Sequence, residues 1–254
     1  MSLFFLVTHR ESSRRTSWKR ARILLMADKR CVEEEVSQFK IMKKGILYDL
    51  DGTLVKSAAL HEMGWQFAAE KMGISLSPQM LEKQKGMPEN EASAMMLPDS
   101  NDRERKRFVE MKRAWALSNA GKVVAYPFAK EIIEKLLELG YLVGICTSAG
   151  EMFVRKVLEE VPWLSQIERF IVFREMYEQG KPAPDGLTVA LKRMGLKKEE
   201  VMGYVGDAEN DYLASKAVGL PFFLFQPDGA PMFPLPPDVP RLRSHRDILE
   251  YREG

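Results

Sequence analysis

Five short apolar runs, rich in β-branched and aromatic residues, set the strongest limit on what this chain can fold into: residues 45–50, 142–146, 170–173, 201–205 and 222–225. Each has strand rather than helix length, and most are separated by segments whose apolar residues recur every three or four positions. Phe128, Ile132, Ile133, Leu136 and Leu137 form one such stripe, stopped by Gly140. Phe153, Val154, Val157 and Leu158 form a second. Leu187, Leu191 and Met194, stopped by Gly195, form a third, and Tyr212, Leu213, Ala217 and Val218, stopped by Gly219, a fourth. Strands alternating with helices predict an α/β fold with a doubly wound parallel sheet, in which ligands sit at the carboxyl ends of the strands.

One interval breaks the alternation. Residues 57–124 carry helix signals at 58–72, 89–97 and 102–119 and no convincing strand. Residues 102–113 are so heavily charged that most of their surface should face water. The expected organisation is an N-terminal extension at 1–43, an α/β core made of 44–56 and 125–254, and a smaller helical domain inserted at 57–124. No internal repeat is visible, and the proline-rich stretch 227–240 reads as a surface loop.

With 254 residues, 45% of them hydrophobic and 29% charged, the chain has ordinary globular composition. It has no apolar run of about 18 residues, so no spanning helix is expected. Cys31 and Cys146 cannot build a disulfide framework and lie in no metal-ligand spacing. The net charge of +2 is unevenly spread: residues 1–44 carry +6 and the remainder −4. The folded part is thus mildly acidic, which argues against nucleic acid as its partner. The Arg- and Ser-rich start admits an organelle transit peptide or an arm for nucleic acid or anionic lipid. The favoured reading is a poorly ordered extension on a cytoplasmic protein, because a chain starting at Met42 loses nothing the core needs.

Four motifs carry chemistry. Asp49 and Asp51, in Asp49-Leu50-Asp51-Gly52-Thr53, leave a strand end together, and Gly52 permits the tight turn that follows. One such carboxylate can attack an electrophile while its neighbour moves a proton, and bunched acids call for a cation. Taken alone, the same residues also read as a β-turn with solvated acids. Asp207 and Asp211 follow the run 201–205 and open a helix, so they are either oxygen ligands for a hard cation or ordinary helix-start acids. Lys181, in Gly180-Lys181-Pro182-Ala183-Pro184-Asp185, lies in a segment that two prolines should hold extended. Thr147-Ser148 ends the run 142–146, where a hydroxyl and a free amide can cradle phosphate.

Together the four motifs resemble the haloacid dehalogenase-like superfamily, subfamily I, of aspartate-nucleophile phosphatases, the group of phosphoglycolate phosphatase and β-phosphoglucomutase. The resemblance spans about residues 44–225. It implies a Rossmann-like core with a helical C1 cap, because the insert lies between the first and second motifs. The 33 residues from 148 to 180 are too few for the larger alternative cap. It further implies Asp49 as nucleophile, Asp51 as general acid and base, Thr147 and the Ser148 backbone as phosphoryl holders, and Lys181 as the cation beside them. Mg²⁺, with Mn²⁺ also suited to the all-oxygen set, would be held by Asp49, the Asp51 backbone carbonyl and Asp207, with Asp211 orienting Lys181 or a metal-bound water.

In the cap, Lys85 and Gly86 stand where relatives touch substrate. Lys56, His61, Trp65 and Met87 are further candidates near the site, although His61 and Trp65 read first as helix packing. Glu89 occupies the place of an arginine common in sugar-phosphate mutases. The implied activity is Mg²⁺-dependent hydrolysis of a small phosphorylated metabolite through an aspartyl-phosphate, with no membrane or nucleic-acid partner, by a monomer or homodimer. The alternatives are a phosphosugar isomerase like β-phosphoglucomutase or a non-catalytic binding protein on the same fold. Asp51 argues against dehalogenation.

Overall fold

The computed structural model describes residues 45–84, 87–227 and 235–251. Its centre is β1 (Gly45–Tyr48), flanked by β4 (Leu142–Cys146) and β6 (Val201–Gly206). Outside these lie β5 (Ile171–Val172) on one side and β7 (Phe222–Phe225) and β8 (Arg241–Leu242) on the other. The order is β5-β4-β1-β6-β7-β8, and every pairing is parallel. A parallel sheet covered on both faces needs near-continuous apolar strands, which explains why the runs show no polar alternation.

The two faces bury different residues. Ile46, Tyr48, Val143 and Ile145 pack with Ile132, Ile133 and Leu136 of α5 (Ala129–Glu138) and with Val154 and Val157 of α6 (Glu151–Glu160). Leu47, Tyr204 and Leu224 pack with Leu187 and Ala190 of α7 (Asp185–Met194) and Ala214 of α8 (Glu209–Val218). Left-handed Gly195 and Gly219 end these last two helices.

Several expectations change. The run 170–173 yields only Ile171–Val172 as strand, because Phe170 closes a 3₁₀ stretch, Pro162–Phe170. The strand β8 was not anticipated. Phe128 is not part of the α5 stripe: it caps that helix in a left-handed conformation, φ 63°, and lies 42% exposed. Helix α8 turns Asp211, Ala214 and Ser215 inward and leaves Leu213 exposed, because Asp211 is drawn toward Lys181. The segment at Lys181 is a turn closed by the Ala183 amide on the Gly180 carbonyl, with a cis Lys181–Pro182 peptide, rather than an extended arm.

The insert holds α1 (Ala58–Met72), α2 (Pro78–Lys83), α3 (Glu89–Met96) and α4 (Asp102–Ser118). Helix α2 escaped the sequence reading. Trp65, Ala68, Met96, Phe108 and Val109 form an apolar cluster of its own. The charged α4 starts at a capping box: Asn101 accepts from the Glu104 amide at 3.0 Å, and Glu104 accepts from the Asn101 amide at 3.1 Å. A short antiparallel ribbon, β2 (Val55–Lys56) with β3 (Val124–Ala125), brings the two ends of the insert together. The extension and Cys31 lie outside the described residues, as does 228–234 of the proline-rich stretch. Among the described residues, no helix is long and apolar enough to cross a membrane.

Candidate active site

The site grows from the carboxyl edge of the sheet. Asp49 follows β1 directly and its amide donates to the Val205 carbonyl at 2.8 Å, so the strand ladder itself fixes its backbone. Residues 50–55 then turn back: the Leu54 and Val55 amides both donate to the Leu50 carbonyl, at 2.9 and 3.0 Å. Gly52 sits at φ 78°, and a Cβ there would meet an Asp207 carboxylate oxygen at 2.1 Å. Both conformation and space therefore demand glycine. Gly206 is similarly tight, since its Cβ would lie 2.6 Å from the Asp211 side chain.

Lys181 joins the separate motifs. Its Nζ donates to Asp49 Oδ1 at 2.6 Å, to Asp211 Oδ1 at 2.7 Å and to the Tyr204 hydroxyl at 2.5 Å. All three ammonium protons thus have partners, and the residue is buried. Tyr204 also lies 2.9 Å from the Cys146 carbonyl. Burial alone would lower the lysine pKa, but Asp211 and Asp49 overcome that and hold it well above its ordinary value. Burial drives the Asp49 carboxyl up to about 7, against the pull of Lys181 and with the push of Asp211 and Asp51. Burial, then Asp211 and Asp49, push Asp207 well up.

Oxygens of Asp49, Asp207 and Asp211 lie within 4.8 Å of one another. With all three carboxylates ionised against one ammonium, two negative charges would remain in a largely buried space, which is why burial and mutual repulsion push Asp49 and Asp207 upward. The cluster thus fits a hard divalent cation in number, charge and donor chemistry.

The Asp51 carboxylate turns away from this cluster. Its Oδ1 accepts from Ser57 Oγ at 2.5 Å and faces His61 Nε2 at 3.3 Å, and Oδ2 lies 3.5 Å from Thr147 Oγ1. Burial would raise this carboxyl, but the His61 and Ser57 hydrogen bonds and the nearby Lys112 outweigh it and hold it below the usual range. His61 Nδ1 faces the Lys112 ammonium at 3.1 Å, and Lys112 also donates to Glu89 Oε1 at 2.8 Å. An ammonium can only donate, so Nδ1 accepts and Nε2 carries the proton toward Asp51. His61 therefore does more than pack. Trp65 is a core residue of the insert, its indole donating to Gln84 at 2.9 Å.

Thr147 is buried. Its carbonyl accepts from Tyr177 at 2.8 Å and its hydroxyl accepts from the Ala149 amide at 3.0 Å. Ser148, next in the chain, is exposed at the site's rim. Lys56 is exposed and lies over the Tyr126 ring, and Met87 packs against the insert's apolar cluster. Lys85 and Gly86 lie outside the described residues. Sequence reasoning missed Ser57, Lys112 and Tyr204. Only Ser57 carried a local signal, as a polar residue just ahead of a helix; the other two are placed by long-range packing.

A family model described as haloacid dehalogenase-like hydrolase matches residues 46–225. The chain is 30% identical to phosphoglycolate phosphatase 1 of Pseudomonas aeruginosa over 183 residues, 69% of this chain and 66% of that one. It therefore spans just under two thirds of the length of that relative. With phosphoglycolate phosphatase of Cereibacter sphaeroides it shares 30% identity over 219 residues, 81% of this chain and 95% of the other. Among solved structures, a hydrolase from Pseudomonas syringae superposes with TM-score 0.64 at 25% identity, covering 72% and 84% of the two chains. The phosphate complex of CbbY from Rhodobacter sphaeroides gives 0.72 at 17% identity, covering 83% and 99%, which speaks for the fold alone. The chain belongs to the haloacid dehalogenase-like hydrolases; its named sequence relatives are phosphatases.

Proposed function

We propose that this enzyme hydrolyses a phosphomonoester of a small metabolite through an aspartyl-phosphate on Asp49. The observation that carries the reading is the Lys181 bridge between Asp49 and Asp211 beside the acid cluster, at the end of the central strand. An Asp49 oxygen attacks phosphorus and the bond to the substrate's ester oxygen breaks. Asp51, although His61 and Ser57 hold its carboxyl below the usual range, must enter this step protonated, and it gives that proton to the departing alkoxide. Asp51 then takes a proton from water, whose oxygen attacks the aspartyl-phosphate, releasing inorganic phosphate and restoring Asp49. Ser57 and His61 aim the Asp51 carboxylate in both half-reactions. The Thr147 hydroxyl, the Ser148 amide and Lys181 hold the phosphoryl oxygens.

Asp49, the Asp51 backbone carbonyl and Asp207 would hold Mg²⁺, with Asp211 fixing Lys181. When bound, the ion neutralises the carboxylates and the charge on the phosphoryl oxygens. The helical segment 57–124 acts as a cap that shuts water out. The phosphoglycolate phosphatases among the relatives support a small anionic phosphate ester as substrate. Glu89 is engaged by Lys112 and by Arg113, the latter at 2.6 Å, and an acid there gives no support to a bisphosphate. A cytoplasmic enzyme acting as monomer or homodimer fits this reading.

The test is phosphate release from a panel of phosphorylated metabolites, together with thermal unfolding, each with Mg²⁺ and with chelator. Wild type should turn over only with Mg²⁺, and Mg²⁺ should raise its unfolding midpoint by mass action. Asp49→Asn should lose nearly all turnover, because an amide does not attack phosphorus. Asp207→Ala should lose most of the Mg²⁺ shift. Turnover by Asp49→Asn at the wild-type rate, or full activity in chelator, sinks the mechanism.

A further inference from the structure

The turn that carries Asp49 and Asp51 is bonded mainly to its own neighbourhood. The Leu50 carbonyl serves two amides of the turn, the Val55 carbonyl accepts from Gly52 at 2.9 Å, and the Leu54 carbonyl accepts from Tyr126 at 2.9 Å. The Thr53 carbonyl is different. It faces His245 Nε2 at 3.0 Å, a side chain 192 positions further along the chain. His245 opens the 3₁₀ segment His245–Tyr251 that follows β8, and it is 1% exposed. Its ring stacks on Phe225, centroids 4.2 Å apart and planes 17° apart, with Tyr48 at 6.1 Å. A carbonyl can only accept, so Nε2 must carry the proton. On its other side Thr53 leads into the acid cluster: its hydroxyl donates to Asp207 Oδ1 at 3.3 Å, and Gly52 lies against the same carboxylate.

We infer that His245 is a positioning residue for the active site. Its imidazole N–H anchors the Thr53 carbonyl, and through Thr53 it fixes both the turn bearing Asp49 and Asp51 and the orientation of Asp207. Buried backbone acceptors need a partner, and here the partner is supplied by the far end of the fold. The C-terminal segment is thereby part of the catalytic framework. Phenylalanine at 245 would keep a ring on Phe225 without the donor, and leucine would keep only apolar packing there. Glutamine places an amide N–H where Nε2 stands.

The experiment compares His245→Phe, His245→Leu and His245→Gln with wild type. Two properties are read: amide hydrogen exchange over residues 50–55, and kcat and KM for an aryl phosphate with Mg²⁺. The kinetic arm rests on the phosphatase reading; the exchange arm does not, so a wild type without turnover would fail that reading and leave exchange to decide this one. Loss of one buried hydrogen bond should speed exchange in the turn by about three- to tenfold in the Phe and Leu variants. It should lower kcat by a similar or larger factor with little change in KM, and Gln should return both toward wild type. Wild-type exchange and kcat in either apolar variant overturns the inference. So does a loss that Gln fails to rescue, or failure of all three variants to fold, since the imidazole would then be a packing group.

Discussion

The residues that would do the chemistry were legible because each stands just after a strand or beside a helix start, positions that apolar runs and their punctuation reveal. Asp49, Asp51, Thr147, Lys181, Asp207 and Asp211 come together in the fold although they span more than 160 positions. The residues that orient them were not legible. Tyr204 sits inside an apolar run, Lys112 in a charged helix and His245 in a basic tail, and nothing within a few positions of any of them marks its contact. His245 has a measurable consequence of its own. Burial lowers its pKa from 6.5 to about 4, with the Thr53 hydrogen bond and Asp247 opposing. The unfolded chain therefore binds a proton near pH 6.5 that the native imidazole refuses until near pH 4. The native state is unpenalised above about 6.5 and loses stability as pH falls from there toward 4, by about 3 kcal/mol. The buried carboxyls Asp49 and Asp207, with raised pKa values, tilt the profile the other way. The quantity to measure is thus the stability of wild type minus that of His245→Phe, by urea titration at several pH values. It should fall between pH 7 and pH 4; a flat difference would mean that the imidazole is solvated or already paired with a proton.

At the scale of elements, period and punctuation located the helices that pack on the sheet, and the inserted helices α1, α3 and α4 matched to within a residue or two. What period could not settle was rotation and length. Helix α8 presents Asp211 inward because an ion pair with Lys181 competes successfully with an apolar stripe. The two-residue strands β2, β3, β5 and β8 are too short to show a pattern, and neighbours in the sheet define them. The start of α5 holds the least expected local feature. Phe128 takes φ 63° with its ring beneath Arg246, whose guanidinium lies 3.7 Å from the ring centroid and pairs with Glu131 at 2.8 Å. A left-handed conformation costs a residue with a Cβ about 1–2 kcal/mol. Glycine escapes that cost at the expense of a more flexible unfolded chain. Phe128→Gly should accordingly be more stable than Phe128→Ala by about 1 kcal/mol, reversing the usual helix preference of alanine over glycine. Denaturant unfolding of the two variants decides it, and an alanine variant as stable as the glycine one would mean that the backbone there relaxes away from positive φ.

For the whole molecule, the alternation of strand and helix revealed the class of fold, and the break in alternation marks the stretch over which α1 to α4 run. Chain ends were harder, because composition reports charge and not packing. The described residues already make a six-stranded sheet with helices over both faces, and the family match begins at residue 46. Residues 1–44 differ from the rest in charge and lie outside the described part. At the other end, β8 receives the Leu224 and Gln226 amides on the Pro240 and Leu242 carbonyls, at 2.9 and 2.8 Å, and Leu242 and Ile248 are fully buried. Trimming the two ends should therefore have opposite consequences. A chain starting at Met42 should keep its thermal midpoint within about 4 °C, the shift that 1 kcal/mol produces in a domain of this size, and should release phosphate at the full-length rate. Removing residues 240–254 exposes the β7 edge and forfeits two buried aliphatic side chains, each contributing about 1.5–3 kcal/mol, so the midpoint should drop by roughly 10 °C or more. Calorimetry on the two truncations, with phosphate release beside it, reads both. A large loss on starting at Met42 would show that the basic extension packs on the core, and a neutral C-terminal deletion would show that β8 and the turn after it do not support the sheet.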